Sequence, residues 1–454
     1  MLKAPRLKRF VMAYKNSDGK EVYGNQGTSR SKNEKYIYNE NGIVVIKSSD
    51  DILTIPKRLN YNVSYFINDL VSQVDFNYIN YSYQPFTGGG GPIYLNPGFN
   101  LFFQVGMNDL MEDYRIVGGV RLNLSLINNE YIFSYANLKK RLDREIVLHR
   151  NTLERQFGYT ITRVHTHEIF YMLKWPFNEA LSLRGTGMLR NDMYVTLATD
   201  QITLETPTVY NFWAGVKAEL VFDNTRNLGI NLMSVTRYKI FAEYYQLIEN
   251  SSNNLIVLGF DIRNYQKIHR NFIWANRIAG STSFGSDKLI YYMGGVDNWL
   301  FPKFNMDTPI DYSQNYAYQT LATNMRGFNQ NIRNGNSFVV INSELRFPVF
   351  QYFSKTPISS GFLRSFQLIG FGDIGTAWTG LSPYSTENSL FTKYITSGPM
   401  NISVEVQKEP IVGGFGFGAR ATIMGYFVRG DISWGVDDYN VRKPVYYLSL
   451  SLDF

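Results

Sequence analysis

The sequence predicts an all-β fold, a closed antiparallel transmembrane β-barrel of about 16 strands behind a small β-rich N-terminal extension. Three observations predict it. Beyond residue 97, long segments alternate apolar with polar residues at the period of two that a two-faced strand imposes. Aromatic residues are 16% of the 454 positions, with 33 Tyr and 32 Phe, a surplus that suits rings seated at two bilayer interfaces. Mean hydropathy is −0.22, and no stretch approaches the ~20 consecutive apolar residues of a membrane helix. A helical membrane protein is thereby excluded, and a Tyr-rich soluble all-β protein is the competing reading.

Residues 1–60 hold short strand-like pieces at 9–14, 35–38 and 42–46, separated by Asn, Gly and Ser turns. They carry 12 Lys+Arg against 6 Asp+Glu, so +6 of the chain's net +7 lies there. The basic residues are scattered without aromatic platforms between them, which argues against nucleic acid. They read as a solvated face or as a platform for an acidic partner, with Lys32, Lys35 and Lys47 in it. Residues 61–86 alternate polar with aromatic, and the glycine run at 87–92 is a flexible break. The expected division is therefore 1–96, extension and linker, and 97–454, barrel. Residues 1–9 are basic, yet no apolar segment follows to make a secretory signal, and an upstream segment is expected to be missing.

Strands are expected at 98–106, 114–125, 130–138, 143–152, 159–174, 180–190, 211–223, 228–247, 254–265, 270–282, 289–294, 337–348, 363–378, 410–424, 426–436 and 445–454. An even number is what a closed bacterial barrel requires. Met424-Gly425 is a tight turn, whereas 295–336 and 379–409 are long and fall on one side, as short inner turns and long outer loops require. In the last strand Tyr446, Leu448, Leu450, Leu452 and Phe454 form the lipid-facing set, while Ser449, Ser451 and Asp453 face the lumen. Phe415, Phe417, Ala419, Ala421 and Ile423 face outward in the strand near 410–424, with Gly416, Gly418 and Arg420 inward.

Little in the chain suggests catalysis. Cysteine is absent, which removes disulfides and Cys-ligated metals. His165 and His167 share one strand face beside Glu168, but a metal needs a third ligand, and His149 and His269 have no reason to converge there. Asp223 to Asn227 reads as a loop between strands. Gly88 to Gly91 lacks the Lys and helix of a phosphate-binding loop. No nucleophile–base arrangement or catalytic carboxylate pair stands out. The expectation is a non-enzyme without metal or cofactor.

The segment Asn324-Met325-Arg326-Gly327-Phe328 resembles the (V)RGF motif of the Omp85 (BamA-like) superfamily, with Met325 in place of the commoner Val. It precedes a strand reading Asn342-Ser343-Glu344-Leu345-Arg346-Phe347-Pro348. The next strand, Phe371-Gly372-Asp373-Ile374-Gly375-Thr376-Ala377-Trp378, is similar to that family's FxDxG strand. Gly414 to Arg420 and Tyr446 to Phe454 resemble its penultimate hairpin and terminal strand signal. The motif match covers about 320–454, and residues 1–96 do not resemble POTRA domains. They look more like the region before the barrel in members with another N-terminal domain, such as a β-propeller.

The resemblance implies a barrel in the outer membrane of a Gram-negative bacterium, with its N-terminus in the periplasm. It implies a role in insertion, assembly or secretion of outer-membrane or surface proteins within a larger complex, and a first and last strand that pair weakly enough to part. The partners so implied are outer-membrane lipid and lipopolysaccharide, other subunits and client polypeptides. The alternatives are a structural anchor for an N-terminal module and a gated diffusion pore.

The residues of the motif also carry their own physical expectation. Glu344 and Asp373 have inward parity on neighbouring strands, and two close carboxylates repel unless a cation lies between them. Arg326, on a loop folded into the lumen, supplies a planar fork that serves both. Gly327 permits the sharp tip and Phe328 gives it an apolar foot. The competing reading is an ordinary polar lumen wall.

Overall fold

The computed structural model describes residues 100–450 except 124–127, 158–159 and 398–399, with 63–75, 83–86, 88, 91, 93 and 453 and the backbone of five short strands between 12 and 55. The chain divides into two compact units, Met1–Tyr65 and Phe66–Phe454. In the first, Met12–Lys15 and Glu21–Gly24 form a hairpin, and Tyr36–Tyr38, Val44–Lys47 and Ile52–Ile55 form a three-stranded antiparallel sheet. The expected lysine platform lies in side chains outside the described residues.

The second unit is built on one large antiparallel sheet. Neighbouring strands pair in chain order from Asn100–Asp109 through Asp143–Phe157 and Thr160–Pro176 to Tyr426–Asp437 and Val445–Leu450. Alternation sets two faces. On Asn254–His269, Leu255 and Val257 are buried while Leu258 and Ile262 are exposed. The outward set is apolar along much of the sheet. The inward set is largely polar, including Arg121, Glu168, Glu344, Arg420 and Arg429, all fully or almost fully buried. Met424 (φ 51°) and Gly425 (φ 89°) take the left-handed conformations of a two-residue hairpin turn. Among the described residues no helix is long and apolar enough to cross a membrane.

Three expectations need correction. The segment expected as a strand at 289–294 is Lys288–Met293, and it does not join the wall. It forms an inner sheet with Tyr316–Leu321, Arg333–Gly335 and Gln84–Pro85. The reason is burial: Leu289 to Met293 are apolar without alternation and covered on both faces, which a lipid-and-lumen wall strand cannot be. Conversely Tyr65–Asp75, on the extension side of the glycine run, belongs to the large sheet, standing between Val445–Leu450 and Asn100–Asp109 in strand order. The sheet therefore begins before residue 97. Finally, the piece expected as strand from 363 opens as a short helix, Gly361–Ser365, whose N-terminus is capped by the Ser360 hydroxyl, and the strand is Gln367–Trp378.

The inner sheet and its connections pack on the inward face of the wall. Leu289, Tyr291, Met293, Tyr318, Met325 and Phe328 share one apolar cluster with wall residues such as Trp213, Leu255, Val340 and Val412. Burial of this kind, at roughly 25 cal/mol per Å², holds the inserted segment against the wall.

Candidate functional site

Arg326 lies 1% exposed on the loop between Tyr316–Leu321 and Arg333–Gly335. Its Nε and Nη2 donate to the two Asp373 oxygens, each at 2.7 Å, in a bidentate fork. Nη1 donates to Glu344 Oε1 at 2.5 Å, and the Arg326 backbone N–H adds a bond to Asp373 Oδ2 at 3.1 Å. The Phe371 ring lies 3.7 Å beneath the guanidinium carbon. Burial works against the charge, but Asp373 and then Glu344 outweigh it and raise this loop residue's pKa above the ordinary arginine value.

The two carboxylates come from adjacent strands, Ser337–Phe347 and Gln367–Trp378, where Asn342 faces Asp373 and Glu344 faces Phe371. Glu344 also receives Arg420 Nη2 at 2.7 Å and Arg346 Nε at 2.8 Å. Asn342 donates to Asp373 Oδ1 at 2.9 Å. Arg346 in turn reaches Asp453, 2.9 Å away, which Arg237, Arg263 and Tyr265 also bind. A continuous chain of alternating charge thus runs from the loop tip to the C-terminal end.

Gly327 has φ +99°, and a Cβ there would sit 2.7 Å from Gly435 Cα. A Cβ on Gly414 would lie 1.9 Å from the Arg326 carbonyl oxygen. The tip therefore seats directly on wall backbone, a fit that only glycine on both sides permits. Phe328 is buried against Gly435. Gly375 pairs with Val340 on the wall, clear of the tip. Tyr447 completes the seat: its hydroxyl accepts from the N–H groups of Gly327 and Phe328 at 2.9 and 2.8 Å and donates to the Phe328 carbonyl at 2.7 Å.

Sequence reasoning names neither Tyr447 nor Gly435, and gives Asn342, Arg346 and Gly414 only as members of the resembling strands. Inward parity was a signal for Tyr447, and Gly414 shares the parity of Gly416 and Gly418. What Tyr447, Gly435 and Gly414 touch is set by a loop 88 to 120 residues away.

The terminal strand meets the same insertion along its edge. Leu300 N–H donates to the Leu448 carbonyl at 3.0 Å, and Leu450 N–H to the Asn298 carbonyl at 3.4 Å, with Trp299 facing Ser449 as a strand-like bridge. Tyr446 and Leu448 of the expected terminal signal point outward and are exposed, and Leu450 has the same parity. Leu452 and Phe454 lie outside the described residues.

A second buried network spans the opposite wall. Arg121 donates to Glu130, and His149 Nε2 and Nδ1 lie 2.7 Å from Glu130 and Glu168. Both ring nitrogens can donate to carboxylates only as imidazolium. Arg190 joins Glu168 to Asp192, and Asp192 accepts from Tyr318 of the inner sheet at 3.1 Å. His165 and His167 lie on the outward face, and Glu168 turns inward, away from them. His269 lies at the far end of another strand beside Tyr352. Asp223 folds over its own loop, accepting from Thr225 N–H and hydroxyl.

The wall of antiparallel strands around the inserted loop has a counterpart of like fold among solved structures. Among solved structures, BamA from Haemophilus ducreyi lacking POTRA domains 1–3 aligns with a TM-score of 0.51 at 10% identity, covering 92% of this chain and 74% of that one. CdiB from Acinetobacter baumannii aligns at 0.43 and 11% identity, covering 78% and 57%, and CdiB from Escherichia coli at 0.43 and 10%, covering 90% and 67%. No family model matches the sequence, and no curated protein matches it. The likeness to BamA is one of fold.

Proposed function

We propose that this chain is a closed, sixteen-stranded outer-membrane barrel of the Omp85 type that inserts, assembles or secretes other polypeptides as a subunit of a larger complex. Its N-terminal unit then lies in the periplasm, and the chain has no catalytic role. The observation that carries this reading is the Arg326 fork, which ties an inserted loop to two wall strands in a buried site. Strand order, with Tyr65–Asp75 between the last strand and Asn100–Asp109, supports closure. The edge of the terminal strand supports a protein client: among the described residues its Leu448 carbonyl and Leu450 N–H pair with Leu300 and Asn298 of the inserted loop. An incoming strand can displace those residues by adding to the same edge.

The test is depletion of this chain in its host, with quantitative proteomics of the outer membrane and cell surface. Loss of specific barrel or surface proteins, reproduced by Arg326→Ala at normal barrel levels, is the expected result. If all such proteins persist and only a module attached to this chain is released, the chain is a structural anchor. The packed interior speaks for that anchor over a diffusion pore, since the inserted segment shares its core with the wall.

A further inference from the structure

Five neighbouring strands carry an arrangement on their outward face that neither the Arg326 site nor the edge of the terminal strand uses. Cross-strand pairing aligns Tyr131, Arg150, His167, Asn191 and Phe212 in one row, and Phe133, Leu148, Ile169 and Leu189 in the next. The second row is apolar and 44–54% exposed. It continues to Gly118, where a Cβ would meet nothing within 4 Å. The two rows line a groove of about 720 Å³. Arg150 stands at its rim over the Tyr131 ring, 5.6 Å away, and makes no ion pair among the described residues. The nearby Arg163 is already neutralised by Glu154 at 2.7 Å.

The height of the rim identifies its surroundings. Trp175 lies on the same strand and face as His167, eight residues on, under the Arg141 guanidinium at 4.8 Å. At ~3.3 Å per residue and a tilt near 40°, the rim is roughly 20 Å above Trp175, close to the ~25 Å apolar band of an outer-membrane barrel. Trp175 then marks the inner interface and Arg150 the outer one. An unpaired arginine facing lipid is tolerated at that depth where a phosphate meets it, and the apolar groove below is shaped for a hydrocarbon chain.

We infer that Arg150, flanked by His167 and Asn191, binds a phosphate of an outer-leaflet glycolipid of the lipid A type, with an acyl chain in the groove beneath. The inference rests on the outer-membrane reading above. The test uses the full chain folded in detergent and in neutral vesicles, with bisphosphorylated hexa-acylated lipid A as probe and native mass spectrometry as readout. Wild type retains one lipid A per barrel. Arg150→Gln lowers retention at least tenfold, Arg150→Lys keeps most of it, and Arg144→Gln, on the same strand at the other end of the band, leaves it unchanged. Dephosphorylated lipid A and phosphatidylglycerol are retained at least tenfold less. Equal retention by Arg150→Gln, or of phosphatidylglycerol, overturns the site while leaving the barrel reading intact. A wild-type chain that enters neither detergent nor vesicles in folded form overturns both.

Discussion

Arg326 holds two buried carboxylates whose other cations, among the described residues, belong to the wall, and there its loss leaves Asp373 without an arginine. Removing one member of a buried pair typically costs about 3–5 kcal/mol. Arg326→Ala is therefore expected to free the loop tip, raise single-channel conductance and expose the 320–330 segment to protease. Arg326→Lys restores only part, since an ammonium lacks the planar fork. Tyr447→Phe makes a narrower test: two loop N–H groups lose their acceptor, at about 1–3 kcal/mol for buried unsatisfied groups. Protease should then cut near Gly327 at lower concentration than in wild type, with conductance rising less than in Arg326→Ala.

At the level of elements, the terminal strand depends on the inserted segment for part of its edge pairing. Trp299 and Ser449 face one another in an antiparallel, non-hydrogen-bonded position, where Cα atoms lie ~4.5 Å apart. That spacing suits a disulfide, and the chain has no cysteine to compete. A Trp299→Cys/Ser449→Cys pair is expected to oxidise readily in the folded protein and, under the proposed role, to abolish client insertion until reduced. Full activity in the oxidised state would show that the edge never has to open. The inner strand Lys288–Met293 has the opposite character, with both faces covered and no lipid-facing side.

For the whole molecule, the wall's hydrogen bonds run strand to strand and leave little backbone for water or detergent to attack. The folded chain should resist SDS at room temperature and migrate faster than its heated 52.3 kDa form. Arg326→Ala should retain that resistance, because the lock lies inside the wall and not in its ladders. An SDS-sensitive wild type would count against a closed barrel.

Alternation along single strands was enough to read the all-β class, the inward parity of Glu344, Asp373 and Arg420 and the outward parity of Tyr446 and Leu448, because a period of two is a local property of the chain. The Arg326 motif was likewise local. The exchange of 289–294 for Tyr65–Asp75 as a wall strand was not legible in that way, since an apolar run looks the same whether its second face meets lipid or a plug. Nor was the seat of the loop. Gly327 against Gly435, Arg326 against Gly414 and the Tyr447 hydroxyl against Gly327 and Phe328 join residues 88 to 120 positions apart. Such contacts exist only once the sheet has curved round the inserted segment, and no periodicity within any one strand encodes them.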